Sequence, residues 1–93
     1  MEVKNQNDGK KGAFYLEDEG KRIGEMDYSF AGPGKMIIIH TEVKEAYGGK
    51  GLGLQLVTAG VAYAREQHLK ILPLCPFAKK VFERTPEFAD VLF

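Results

Sequence analysis

The chain is predicted to be one α+β domain with a mostly antiparallel sheet, its elements running β-β-β-α-β-α. Three observations predict this. The N-terminal half holds three apolar stretches separated by glycine-containing turns, a meander pattern. The apolar period then changes to that of a helix. A short apolar run and a second helical run follow. At 93 residues the chain suits a single domain with an adequate but not generous core.

Residues 1–11, polar and glycine-punctuated, are expected to be a flexible lead-in to a domain spanning 12–93. "GAFYLED" (Gly12 to Asp18) reads as a strand ending at the Glu19-Gly20 turn. In "KRIGEMDYSFA", Ile23, Met26, Tyr28 and Phe30 roughly alternate with polar residues, which gives a second strand in a hairpin with the first. After Gly32-Pro33-Gly34 comes "KMIIIHTEV", whose consecutive apolar residues Met36 to Ile39 predict a strand covered on both faces. From Gly51 to His68, Leu54, Val57, Val61 and Ala64 fall at helical spacing, with Leu56, Gly60 and Tyr63 widening the stripe. Arg65 and His68 suit the negative end of that helix, and His68 is read as a C-terminal cap residue. "KILPLC" (Lys70 to Cys75) is a fourth strand, and Pro73 argues for an edge or splayed position. Pro76 opens a second helix, and Thr85 is placed to cap a last short turn beginning at Pro86.

Composition removes several classes of function. Thirteen basic residues balance thirteen acidic ones, so no strong field draws nucleic acid or an anionic membrane. Cys75 is the only cysteine, which excludes an intramolecular disulfide. No apolar run approaches the ~20 residues that span a bilayer, and the first residues lack a signal-peptide core, so a soluble cytoplasmic protein is expected. Cys75, His40 and His68 lack metal-ligand spacing, so no metal is expected.

The informative stretch is "YGGKGLGLQLV" (Tyr47 to Val57), where Gly48, Gly49, Gly51 and Gly53 precede the main helix. A helix N-terminus presents unpaired N–H groups and partial positive charge, and glycines let a phosphate approach that backbone. Two well-known phosphate cradles fail. Gly48 and Gly53 have P-loop spacing, but Leu54 and Gln55 follow in place of Lys and Ser/Thr. Neither Gly49/Gly51 nor Gly51/Gly53 completes G-x-G-x-x-G, because Leu54 and Leu56 stand at the third position. A plain flexible turn is the bland alternative.

"GGKGLG" resembles the R/Q-x-x-G-x-G/A loop of the GCN5-related N-acetyltransferases, with Gly51 and Gly53 matching and Gly48 in the Arg/Gln position. The rest of the chain, from about Phe14 to Leu92, resembles a subgroup of minimal single-domain acetyltransferases of the YjdJ type. The matching pieces are His40-Thr41-Glu42-Val43, Leu56 to Gln67, Pro73-Leu74-Cys75 and Pro86-Glu87-Phe88-Ala89-Asp90.

The resemblance implies a fold in which the strands flanking the helix splay into a coenzyme A cleft. It implies an acetyl-CoA-dependent N-acetyltransferase acting on a small-molecule or protein amine. Thr41, Glu42 and Val43 would pair with the pantetheine arm. Gly48, Gly49, Lys50, Gly51, Leu52 and Gly53 would hold the pyrophosphate. A backbone N–H near Val43 would polarise the thioester carbonyl. His40 and Cys75, at the ends of the two splayed strands, are the expected catalytic pair: histidine is a natural base near neutral pH, and the cysteine either accepts the acetyl group or lines the site. Read alone, Cys75 is a small buried apolar residue and His40 a solvated strand residue. Phe82 stands where larger relatives carry a thiolate-protonating tyrosine. Lys79 is the candidate phosphate ligand on the second helix, although solvated surface is the stronger reading of both it and Lys80. Phe77 reads as core or as pocket wall. The rival reading is a non-catalytic CoA or acyl-CoA binding module, motivated by Gly48 and Phe82.

Overall fold

The computed structural model describes residues 2–93. Five strands form one sheet in the order β1 (Lys4–Asn7), β2 (Lys11–Asp18), β3 (Lys21–Phe30), β4 (Lys35–Val43), β5 (Lys70–Pro73). The first four run antiparallel as a meander, and β5 lies parallel to β4. Helix α1 (Leu52–Gln67) makes the crossover between them, and α2 (Pro76–Arg84) follows β5. Short 3₁₀ turns cover Glu45–Tyr47 and Pro86–Val91.

The β2–β3 hairpin turns on Glu19 and Gly20, both with positive φ (51° and 78°), the backbone a two-residue hairpin loop requires. Sheet and helices meet through Phe14, Leu16, Met26, Tyr28, Met36 and Ile38 on one side and Leu56, Val57, Val61 and Ala64 on the other, all buried. Burying each large apolar side chain stabilises the domain by about 1.5–3 kcal/mol. The helix approaches closely at Gly60, where a Cβ would lie 2.8 Å from Met26 Cε. His68 closes α1 in the left-handed conformation (φ 58°), donating its N–H to Ala64 and Arg65.

Four expectations need correction. The stretch 4–7, expected to be a loose lead-in, is strand β1 on the edge of the sheet. It carries no apolar alternation and is held by its ladder and by Tyr28, whose hydroxyl donates to Asn5 Oδ1 (2.5 Å) and accepts from Asn7 Nδ2 (3.1 Å). The run Met36 to Ile39 is not covered on both faces: Met36 and Ile38 are buried, whereas Ile39 is 52% exposed. Leu54 is 47% exposed rather than part of the core stripe, because Leu52, Leu56 and Val57 already fill the buried face at the start of α1. Thr85 precedes the last turn but caps it with its backbone C=O, which accepts from Phe88 N–H, and its side chain makes no cap bond.

Candidate active site

The site begins with an irregularity in β4. Asp27 pairs with His40 but Tyr28 pairs with Ile38, so Ile39 is an extra residue, a β-bulge. The β4–β5 ladder ends at the same level, with Ile38 opposite Pro73. The N–H groups of Leu74 and Cys75 both converge on the Ile38 carbonyl (3.0 and 3.2 Å), after which the chains part. Beyond this fork, residues 40–43 of β4 pair only with β3. Lys44 N–H bonds Ile23 O at 2.8 Å, so by alternation Thr41 and Val43 turn their backbone N–H and C=O toward the edge that β5 has left.

A cleft of about 490 Å³ opens from this free edge. Its walls are Thr41 and Val43 of β4, the loop residues Tyr47, Gly48, Gly49 and Gly51, the first residues of α1, and Phe77, Val81, Arg84 and Thr85. The loop glycines have distinct causes. Gly49 (φ 75°) and Gly51 (φ 74°) adopt the left-handed conformation, and Gly51 is the N-cap of α1 with no side chain satisfying the helix's first N–H groups. Gly53 is required by packing: a Cβ there would lie 2.6 Å from the Phe77 ring. The result is a side-chain-free helix N-terminus facing a cleft, where anionic groups are favoured.

Cys75 lies at the fork, buried, as the N-cap of α2. Burial alone would raise its thiol pKa. The nearby backbone groups of Ala78 and Phe77 at the start of α2, with the hydroxyl and backbone of Thr41, outweigh that and hold the pKa below its ordinary value. Thr41 Oγ1 is buried and forms no well-aligned hydrogen bond, so its proximity to the Cys75 sulfur is a loose contact.

His40 faces the other way. Thr41 pairs with buried Met26, whereas His40 pairs with Asp27 and Glu42 with Glu25, on the sheet face that the helices leave open. His40 is 62% exposed by side chain, with Nε2 3.9 Å from Glu42 Oε2. Asp27 has its pKa raised by burial and by the neighbouring Glu25 carboxylate. Glu25 has its own lowered, chiefly by the Arg22 guanidinium.

The expected site residues therefore separate. Thr41, Val43, Gly48, Gly49, Gly51, Leu52 and Gly53 line the cleft. Cys75 lies beside it at the fork, and His40 and Glu42 stand on the opposite face. Lys50 belongs to the loop, its ammonium 5.6 Å from the Tyr47 ring centroid. Lys79 is not brought to the cleft. Phe77, Val81 and Arg84 form the stripe of α2 that faces it, and Lys79 falls on the far side of that helix. Phe77 is pocket wall, 42% exposed, and Phe82 is core, packed edge-on to Phe88 at 6.0 Å. Sequence reasoning missed Arg84, although its spacing of seven from Phe77 and three from Val81 was a usable helical signal. It also missed Glu25 and Asp27, whose nearness to His40 depends on a cross-strand register that the bulge shifts.

A strand edge left free beside a glycine-opened helix N-terminus presents unpaired backbone amides next to a position that favours anions. Residues 13–91 match the GCN5-related N-acetyl-transferase family, and the chain belongs to it. Membership implies acetyl-CoA as the acyl donor, and the cleft fits it: its glycine cradle admits phosphates and its free strand edge can pair with amides. The solution NMR structure of a GCN5-like protein from Staphylococcus aureus is 38% identical, with a TM-score of 0.76 over 99% of this chain and 87% of that one. The ribosomal-protein-alanine N-acetyltransferase of Brucella melitensis biovar Abortus 2308 shares the fold (TM-score 0.70, 20% identity), with 83% of this chain covering 62% of that enzyme. An aminoglycoside N-acetyltransferase solved with CoA does so as well (TM-score 0.61, 16% identity, 84% of this chain and 67% of that one). No functionally curated protein matches the chain. Among the described residues no helix is long and apolar enough to cross a membrane, and no group of metal-ligating side chains is present.

Proposed function

We propose that this chain moves the acetyl group of acetyl-CoA to an amine, as a minimal member of the YjdJ-type subgroup. The observation that carries the reading is the fork at Ile38, where a free strand edge, a glycine-fronted helix and a thiolate-favouring cysteine converge. The free edge at Thr41 and Val43 pairs with the pantetheine amides, and the Val43 N–H polarises the thioester carbonyl. The backbone from Gly48 to Gly53, with Lys50, holds the pyrophosphate. The amine approaches from the open face, where His40 accepts its proton. The amine nitrogen attacks the thioester carbonyl, the C–S bond breaks, and CoA leaves as a thiolate that takes a proton from solvent. Cys75, on the donor side of the gap, either takes the acetyl group first or lines the path.

The same separation of His40 from Cys75 favours, as second reading, a module that holds CoA or acyl-CoA without turnover. The test is calorimetric titration with acetyl-CoA, then intact mass of the same sample and a screen of amines. Binding with a gain of about 42 Da that disappears in Cys75→Ser, and not in denatured protein, marks an acetyl-cysteine enzyme. Binding without that gain, but with amine-dependent loss of acetyl-CoA, marks direct transfer. Binding without consumption marks the module, and no binding removes both readings.

A further inference from the structure

The cleft has a glycine cradle but Gly48 stands where the family's loop carries Arg or Gln, so the loop brings no guanidinium to its phosphate site. The far wall does. Arg84, in the last turn of α2, lines the same cleft as Gly48, Gly49 and Gly51. Helical spacing sets it on one stripe with Phe77 and Val81, so all three look across at the loop. Its guanidinium is engaged by no ion pair or side-chain hydrogen bond among the described residues. The chain's two other arginines are committed, Arg22 to Glu25 at 2.8 Å and Arg65 to Asp90 at 2.8 Å. A cation placed only to complement the end of α2 would not need to face the cleft.

We propose that Arg84 is a phosphate ligand of the coenzyme, the guanidinium that the glycine loop lacks supplied from the opposite wall. The proposal rests on the acetyl-CoA reading above and adds a binding residue to it. Guanidinium fits the role because its planar fork bonds two phosphate oxygens at once, which an ammonium cannot do.

The experiment is calorimetry of wild type, Arg84→Ala, Arg84→Lys and Lys79→Ala with CoA, 3′-dephospho-CoA and S-acetylpantetheine. Thermal unfolding is read in parallel. Arg84→Ala is expected to weaken CoA binding about tenfold, the low end for a charge-assisted hydrogen bond at an exposed site. Arg84→Lys should fall between it and wild type. Lys79→Ala removes the same charge from the far side of α2 and should bind as wild type does. S-acetylpantetheine carries no phosphate anhydride or nucleotide, so its affinity should not change in Arg84→Ala. A loss that persists with 3′-dephospho-CoA assigns the contact to the pyrophosphate, and a loss that vanishes assigns it to the 3′-phosphate. The proposal is overturned if Arg84→Ala binds CoA as wild type does, if it loses as much on S-acetylpantetheine, or if Lys79→Ala loses equally. Wild-type protein that binds no CoA would instead remove the acetyl-CoA reading itself.

Discussion

At the scale of the residue, two side chains beside the fork have effects that single substitutions can read. The polar groups around Cys75 act against its burial and lower its pKa in the folded state. A depressed acid pKa contributes stability above the unfolded value, about 8.5 for cysteine, and that contribution is lost as pH falls through the folded value. The stability difference between wild type and Cys75→Ala should therefore grow in favour of wild type from neutral pH into the alkaline range, as read by denaturant unfolding at each pH. A difference independent of pH would mean that the thiol behaves as ordinary core. Phe77 is the second. Its ring occupies the space that a Cβ at Gly53 would take, and its partial exposure lets it swing away. Gly53→Ala should then change stability by no more than about 1 kcal/mol, since helix propensity gained offsets the displaced ring. It should nevertheless weaken CoA binding several-fold. The effect should largely disappear when Gly53→Ala is made on a Phe77→Ala background, and additive losses would refute the contact.

At the scale of the element, the bonds that fix each piece determine what the sequence could reveal. The β2–β3 hairpin, α1 and the proline-opened α2 were legible because period, turn residues and caps agree. β1 was not, since "KNQN" has no apolar face and gains its place through Asn5 and Asn7 on the Tyr28 hydroxyl. Tyr28→Phe should cost about 1 kcal/mol by removing both bonds, with amide exchange in residues 4–7 rising more than in β3. Equal exchange throughout would mean that the ladder alone holds β1. The loop was legible as a phosphate cradle, but which glycine answers to torsion and which to Phe77 was not, because that contact joins positions 53 and 77. The C-terminal turn is tied down in the same non-local way: Arg65 grips Asp90 through two hydrogen bonds (2.9 and 2.8 Å) and also reaches Glu87 O.

At the scale of the whole molecule, the sheet separates two approaches. Helices cover one face, and the cleft with Cys75 opens there, whereas His40, Glu42, Glu25 and Asp27 occupy the bare face. This partition was illegible in advance because His40 and Cys75 look like partners when only their strand ends are compared. On the proposed function it makes binding and transfer separable. His40→Ala should leave CoA affinity within about twofold of wild type while lowering amine-dependent turnover by roughly a hundredfold or more. Parallel loss of both, measured by calorimetry and thiol release, would place His40 in the coenzyme site instead.

The bulge at Ile39 has a consequence for how such a domain could lose its cleft. One surplus residue interrupts β4 at the level where β5 ends and the Leu74 and Cys75 N–H groups crowd onto one carbonyl. Without Ile39, and with a β5 that ran on instead of turning into α2 at Pro76, the free N–H and C=O groups of Thr41 and Val43 would find strand partners past the fork. The molecule would gain main-chain bonds and lose its opening. The cleft thus exists because the sheet is left unfinished, and the tightest version of this fold would be a closed one.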